Sequence, residues 1–160
     1  MTRRLVSILI VSLLAACGGG GDGASGGDIG SPCDLVDASE VESVFGPTVS
    51  DGVEGEARNC SFGHDPGPVT SIDVYYFGGA DGWDGTRSGF EDNRGGTTDL
   101  AGIGDEAFHP NDTGPQELVV RAGGEIFAIT VFTSLFEDPD PAVAVAVAEL
   151  ATLIAADLGS

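Results

Sequence analysis

The chain has 160 residues, among them 26 Asp and Glu against only 6 Arg and no Lys, and its formal net charge is −20 at pH 7. That length suits one domain with one hydrophobic core. A surface this acidic argues against binding of nucleic acid, or of anionic lipid headgroups, through a basic face. It is compatible with a cationic partner or a divalent cation, although a solvated acidic surface explains it more simply.

The first seventeen residues predict an export signal that ends in a lipid-accepting cysteine. Arg3 and Arg4 supply a positive start, residues 5–14 are almost wholly apolar, and small residues lead directly into Cys17. The apolar run spans about ten residues, which is too short for a bilayer core that needs roughly twenty. The pattern resembles a bacterial lipoprotein signal, whose last cysteine receives a diacylglycerol. The alternative is an ordinary signal peptide with an incidental cysteine.

The lipoprotein interpretation divides the chain into a signal peptide (1–16), the lipidated Cys17 with a Gly-rich tether (17–31), and one extracytoplasmic domain (32–158). Eight glycines among residues 18–31 predict a flexible segment that buries no apolar surface. Two or more acyl chains hold a protein stably on a membrane. The predicted location is therefore the extracytoplasmic face of the cell membrane, with the membrane as a partner through the lipid on Cys17.

Three cysteines are an odd number for an exported protein. With Cys17 assigned to the lipid, Cys33 and Cys60 remain to form a disulfide in an oxidising compartment. The alternative is a metal site built from the two thiols. Such a site needs further ligands, and only His64 is close in sequence, so the disulfide is preferred and no metal is predicted.

The first half of the domain predicts one short helix and two strands. A capping box over residues 37–40 precedes a short apolar helical pattern. Residues 59–62 form a candidate strand. Residues 71–77 alternate, with an apolar face on one side and with Asp73 and Tyr75 on the other, which predicts a half-buried strand.

The second half predicts a weak helix followed by a hairpin. Trp83 and Phe90 are seven residues apart and can share one face of a short helix within residues 82–93, where Trp83 is first of all a core anchor. Residues 117–121 and 125–133 are predicted strands joined by a tight Gly-Gly turn. The second of them is apolar on both faces, which favours a central position in the sheet.

The chain ends in one long predicted helix. Asp140 is its N-cap, Pro141 occupies its first turn, and apolar residues then recur at three- and four-residue steps as far as Leu158. That stripe is suited to packing on the sheet. Glu149, Asp157 and the limited length argue against a membrane span.

Several of these features together resemble a family of actinobacterial secreted lipoproteins of unknown function. The resemblance covers Pro32 to about Leu158 and departs from the family pattern at Phe62, where members often have Trp. It implies an exported, lipid-anchored α+β domain and brings no established catalytic residues. The features that carry it are Pro32-Cys33-Asp34-Leu35, a short helix ending at Gly46, Cys60 followed closely by an aromatic residue, the run Gly102-Ile103-Gly104-Asp105-Glu106-Ala107-Phe108, and Arg121 near Gly123.

No catalytic constellation is visible, and the chain is predicted not to be an enzyme and to use no cofactor. It has two histidines, His64 and His109, and no Gly-x-Ser-x-Gly elbow for a nucleophilic serine. Four acidic residues in the Gly-rich segment between Asp81 and Asp92 leave a calcium site open as a weak alternative, although their spacing does not match an EF-hand. Solvation or helix capping explains them more simply.

The candidate ligand or partner surface consists of Trp83, Asp105 and Glu106. Asp105 and Glu106 follow Gly102 and Gly104, so they either shape a tight entry into a strand or line a surface cleft. The turn is the preferred interpretation. Trp83 is either buried as a core anchor or available as a stacking platform.

The expected fold is a two-layer α+β domain, in which an antiparallel sheet of about five strands is covered on one face by the first and last helices. The expected function is non-enzymatic binding of a protein, glycan or lipid partner in the cell envelope. One alternative is a small-ligand carrier or sensor, with an apolar pocket between the sheet and the last helix, lined by residues such as Trp83, Phe132 and Ile154. A weaker alternative is a binder of divalent cations.

Overall fold

The computed structural model describes residues 29–65, 67–134 and 140–159. The predicted signal peptide, Cys17 and nearly all of the predicted tether lie outside the described residues. The helices and strands within them are α1 (Ala38–Phe45), β1 (Val53–Gly55), β2 (Asn59–Gly63), β3 (Val69–Gly79), α2 (Trp83–Asn93), β4 (Thr97–Leu100), β5 (Glu106–Pro110), β6 (Glu117–Ala122), β7 (Glu125–Thr133) and α3 (Pro141–Leu158).

The described strands form one antiparallel sheet in the order β1-β2-β3-β7-β6-β5-β4. Two meanders, β1 to β3 and β4 to β7, meet where β3 pairs with β7, so both of these strands are central. The α+β class and the antiparallel sheet are as predicted, but the expected number of about five strands is wrong, because the sheet has seven. The two edge strands β1 and β4 escaped prediction because they are short and mostly exposed, without apolar alternation.

One face of the sheet, called the inner face below, packs against α3, and α1 packs on α3 and adds Val41 to the same hydrophobic cluster. The apolar stripe of α3, with Val147, Leu150 and Ile154 fully buried, packs against the alternate residues of the strands that point inward. This layer holds the larger hydrophobic cluster. Its sheet residues include Phe62, Ile72, Val74, Leu118, Val120, Phe127, Ile129 and Val131.

The helix ends follow the capping rules that the sequence indicated. Asp37 accepts a hydrogen bond from the Glu40 backbone N–H, and the Glu40 side chain accepts one from the Asp37 backbone N–H, which completes a capping box for α1. Asp140 accepts a hydrogen bond from the backbone N–H of Ala142, and Pro141 fills the first position of α3. The first residues of both helices are thus fixed by hydrogen bonds between residues close in sequence.

By length and composition alone, α3 could span a membrane, since its 18 residues have a mean hydropathy of 1.8. The prediction that Glu149 and Asp157 exclude a span was therefore too strict. In the structure the apolar stripe of α3 packs on β6 and β7. The high hydropathy of this helix is therefore explained by its packing on the sheet.

The opposite face of the sheet, the outer face, carries a second and smaller layer that the two-layer prediction left out. Trp83 and Phe90 of α2 both contact Phe108 of β5, with ring centroids 5.4 and 5.6 Å apart respectively. The predicted sharing of one helix face by Trp83 and Phe90 is thus present. Val119, Ile126 and Ala128 complete this cluster. The helix covers only part of the outer face.

A disulfide joins Cys33, in a single 3₁₀ turn just before α1, to Cys60 on β2, as predicted. The two Cα atoms are 4.9 Å apart. Cys60 is fully buried at the edge of the inner cluster. The bond therefore fastens the entrance of the domain to the sheet.

Loss of this disulfide should strongly destabilise the domain. On the chain-entropy model, opening a loop of this size lowers the free energy of unfolding by about 3.6 kcal/mol. The measurement is urea denaturation of the protein with and without reductant. The double variant Cys33→Ala/Cys60→Ala serves as the control, because it should show the lower stability and no response to reductant. A difference below about 1 kcal/mol would contradict the model.

Candidate functional site

The structure brings Trp83 and Glu106 together, with Trp83 buried and Glu106 exposed. Trp83 is only 3% exposed, and its indole Nε1 donates a hydrogen bond of 2.7 Å to the Glu106 carboxylate. Glu106 also pairs with Arg121, whose guanidinium lies 5.7 Å from the Trp83 ring centroid. Trp83 is therefore a core anchor of α2, and the Glu106 carboxylate is used to hold it.

Asp105 is exposed, and its backbone N–H donates a hydrogen bond of 2.8 Å to the carbonyl oxygen of Arg121. Gly104, just before it, has a φ of +55° and lies directly against the same strand. A Cβ atom there would lie 2.6 Å from the carbonyl oxygen of Arg121. The Gly102–Glu106 segment thus forms the tight entry into β5, which is the interpretation that the sequence favoured.

The apolar pocket expected between the sheet and the last helix is not formed by the residues named for it. Trp83 and Phe132 belong to the outer face, whereas Ile154 lies in the inner cluster. The sheet separates them, because neighbouring residues of a strand point to opposite faces. What the inner layer does have is an open apolar groove of about 430 Å³ beside α3, lined by Leu100, Ala101, Ile103, Pro115, Leu118, Ala144, Val145, Val147 and Ala148.

The candidate site is a cleft on the part of the outer face that α2 leaves uncovered, called the outer cleft below. Its volume is about 480 Å³. The cleft crosses β3, β7 and β6 next to the C-terminal end of α2. Its lining residues are Ala57, Tyr75, Phe77, Arg94, Thr113, Glu117, Thr130 and Phe132.

Two large aromatic side chains of the outer cleft are exposed to solvent. Phe77 is 43% exposed and Phe132 is 45% exposed. The rings of Phe77 and Tyr75 are nearly parallel, with centroids 6.4 Å apart, and Phe90 meets Phe77 edge-on. Single exposed apolar residues are ordinary, but two phenylalanines lining one cleft form an apolar surface that a partner can cover.

A polar row runs beside these rings on the same face of the sheet. Ser61, Asp73, Thr130 and Glu117 lie opposite one another on β2, β3, β7 and β6. Since neighbouring strands are about 4.8 Å apart, the backbones of Asp73 and Glu117 are separated by about 10 Å. The row therefore contributes two carboxylates, both on residues only 8% exposed, to the floor of the outer face.

Neutral donors hold the carboxylate of Asp73 in place. The Ser61 hydroxyl donates to one oxygen at 2.6 Å, and Asn59 Nδ2 and the Tyr75 hydroxyl each donate to the other at 3.3 Å. Burial of a carboxylate is costly unless hydrogen bonds or a cation compensate it. Three hydrogen bonds provide that compensation, and no cation within the described ranges pairs with Asp73.

Arg94 and its acidic partners form the other wall of the outer cleft. Its guanidinium bonds Asp112 at 2.6 Å and Glu117 at 2.9 Å, and it lies 5.8 Å from the Phe90 ring centroid. The hydrogen bond with Asp112 raises the pKa of Arg94 and lowers the pKa of Asp112. Arg94 is thereby fixed as a cation at the C-terminal end of α2.

Burial and the nearby charge of Asp73 raise the pKa of the Tyr75 phenol. The hydroxyl that donates to Asp73 thus stays protonated at neutral pH. A neutral phenol therefore lines the outer cleft, next to the Asp73 carboxylate on the same face of the sheet.

The two histidines are each placed by contacts with a hydroxyl or with backbone carbonyl oxygens. His64 Nε2 lies 3.2 Å from the Thr48 hydroxyl and 3.1 Å from the Phe45 carbonyl oxygen, and His109 Nδ1 lies 3.3 Å from the carbonyl oxygen of Pro110. Within residues 29–65, 67–134 and 140–159, no group of three or more His, Cys, Asp and Glu is placed to hold a metal ion.

Sequence reasoning missed most of the outer cleft, although one signal was present. The outward residues Asp73 and Tyr75 were recognised as one face of a strand, and Phe77 continues that face. Arg94, Glu117 and Phe132 come from other elements, so that only strand pairing unites them with β3. The pairing order was not readable from the sequence.

The chain matches no protein-family model, and searches of curated proteins and of solved structures find no match.

Replacement of Gly104 by alanine should destabilise the protein by more than about 1 kcal/mol, the minimum cost of placing an L side chain in the left-handed region. The clash with the Arg121 carbonyl adds to this cost. Urea denaturation measures the effect. Gly85→Ala in α2 is the matched control: nothing lies within 4 Å of its added Cβ, so it should stabilise the helix by about 0.5–1 kcal/mol. Equal effects of the two variants would refute the argument.

Tyr75 should ionise above the ordinary pH range of a tyrosine. The change of absorbance near 295 nm with pH, taken as the difference between the protein and its Tyr75→Phe variant, isolates this phenol. Asp73→Asn should move the transition back toward the ordinary value, since it removes the nearby charge, whereas Asp81→Asn should not.

The folded-state pKa of Tyr75 is raised, so its contribution to stability is fully present below the unfolded pKa of about 10 and is lost as the pH rises through the folded pKa. Ionisation of Tyr75 at or below the pKa of a free phenol would contradict this assignment.

Proposed function

We propose that this chain is a non-enzymatic binding domain of the cell envelope, held at the extracytoplasmic face of the cell membrane by a lipid on Cys17, and that its partner binds at the outer cleft. The lipobox-like sequence before Cys17 and the resemblance to secreted lipoproteins support the anchor. The observation that carries the binding function is the pair of exposed rings, Phe77 and Phe132, over a fixed polar floor.

The arrangement of the polar groups favours binding over catalysis. The carboxylates of Asp73 and Glu117 are each held by several donors, and neither histidine contacts a carboxylate in the described part of the chain. General acid–base catalysis requires a group that can reach a proton of the substrate. A rigid floor with partly exposed aromatic walls instead suits recognition of a shape and a charge.

A second candidate function is that of a carrier for a small apolar ligand, and the groove beside α3 favours it. All nine residues that line this groove are apolar, and Val145 in it is 66% exposed. Apolar grooves with few polar groups are typical of sites for hydrophobic molecules. The groove offers no fixed polar group to orient a ligand, which ranks it below the outer cleft.

Photo-crosslinking in the intact envelope tests where the partner binds. A benzophenone amino acid at Phe132 should give one discrete adduct, because this ring lies at the cleft. The same amino acid at Leu153 is the matched control and should give no adduct. Leu153 is an exposed apolar residue of α3 that lines neither the outer cleft nor the groove beside α3. An adduct at Val145 without one at Phe132 would favour the carrier function. No adduct at Phe132 would overturn the proposed site.

Cys17→Ser should abolish labelling of the protein by a fatty-acid precursor, because lipidation requires the sulfur atom of Cys17. The double variant Cys33→Ala/Cys60→Ala should remain membrane-bound and labelled. The measurement is incorporation of the labelled fatty-acid precursor, with fractionation and immunoblotting to follow the double variant. A Cys17→Ser protein that still incorporates the label would overturn the anchor.

A further inference from the structure

The arginine side chains of the protein share a common environment. Each of the four arginines in the described part of the chain lies over an aromatic ring: Arg58 over Tyr76 at 4.9 Å, Arg87 over Phe108 at 5.5 Å, Arg94 over Phe90 at 5.8 Å and Arg121 over Trp83 at 5.7 Å. Three of the four also pair with a carboxylate. In this protein a guanidinium therefore typically lies over an aromatic ring and, in three of the four described cases, also pairs with a carboxylate.

The outer cleft contains the same kinds of groups, and its own cation, Arg94, contacts Asp112, Glu117 and Phe90 instead of the exposed rings of the cleft. It offers the rings of Tyr75, Phe77 and Phe132, and the carboxylate of Asp73 lies on the same face next to Tyr75. Within the described ranges no guanidinium lies over any of these three rings. The chain has no lysine, and each of its described arginines lies over another ring, so we look to another molecule for a cation at these rings.

We propose that the outer cleft binds an arginine side chain presented by an exposed basic segment of a partner protein. This inference rests on the proposed binding function of the cleft and adds the chemistry of its ligand. The guanidinium is planar, stacks on aromatic faces and donates several hydrogen bonds in a fixed fork, which suits both the exposed rings and the neighbouring acids.

Charge complementarity supports a basic partner over a neutral one. The net charge of −20 attracts cationic segments at long range, and it disfavours acidic ones. The carboxylate of Asp73 is 8% exposed, so salt screens its field less than that of a surface acid. A cation that covers Phe132 would lie near this charge in a site from which water is partly excluded.

The size of the site favours a segment of a protein over a free small cation. The outer cleft of about 480 Å³ adjoins a second cleft of about 340 Å³ along α2, with which it shares Phe77 and Arg94. A single ammonium ion would leave most of this surface uncovered. An extended segment with its arginine at Phe132 can continue along α2 past Phe77.

The test is isothermal titration of the protein, purified from membranes in neutral detergent, with two short peptides. One has arginines separated by glycines, and the other has citrulline at each arginine position, which keeps the shape and removes the charge. The arginine peptide should bind at least tenfold more tightly. Phe132→Ala and Asp73→Asn should each weaken its binding at least fivefold.

Two controls separate the site from general attraction to an acidic protein. Asp81→Asn removes one exposed acid that does not line the outer cleft, and Leu153→Ala removes an exposed apolar side chain on α3. Both should leave the affinity within twofold. Because Phe132 is half exposed, its replacement keeps the core intact, and thermal unfolding of every variant checks this.

The possible failures are distinguishable. Equal binding of both peptides, or binding weakened as much by Asp81→Asn as by Phe132→Ala, would overturn the arginine assignment. If no arginine peptide binds but crosslinking at Phe132 captures a partner, or a neutral oligosaccharide binds and Phe132→Ala abolishes that binding, the assignment is wrong while the binding function stands. Absence of both peptide binding and a Phe132 adduct would remove both proposals.

Discussion

The antiparallel pairing of β3 with β7 is the constraint on which the rest of the structure depends. It joins two strand meanders into one sheet and sets Val74 opposite Ile129 on the inner face and Asp73 opposite Thr130 on the outer face. Because the side chains of a strand alternate with a period of two, this register assigns residues 71–76 of β3, which lie between two register shifts, and their partners on β7 to a layer. A shift by one residue would expose the core and bury the polar row.

The helix α2 stays on the outer face although it contains few apolar residues. Trp83 and Phe90 supply its buried contacts with Phe108. Arg87 within the helix and Arg94 directly after it add stacking on rings and ion pairs with acids of neighbouring strands. An exposed ion pair alone contributes little, but an arginine that also covers an aromatic ring buries its aliphatic stem. These contacts determine how much of the outer face is covered, and so where the outer cleft begins.

The acidic composition of the chain is accompanied by a consistent placement of its few arginines. The chain has few basic residues, and each described arginine lies over an aromatic ring of the same chain. The charge of the chain is therefore strongly negative. Acidic residues keep such a surface solvated. The outer cleft differs from that surface because its rings are exposed and its carboxylates are fixed, a combination that favours a specific cationic group over bulk ions.

Features that depend on neighbours along the chain could be predicted from the sequence. The capping box at Asp37, the N-cap at Asp140, the glycine turn of the β6–β7 hairpin and the central position of β7 follow from local hydrogen bonds, backbone freedom and apolar patterning. Tertiary structure alone decided the edge strands β1 and β4, since a short exposed strand is defined by its partner. It also decided the outer cleft, whose residues Tyr75, Arg94 and Phe132 lie far apart in sequence and meet only through strand order and the placement of α2.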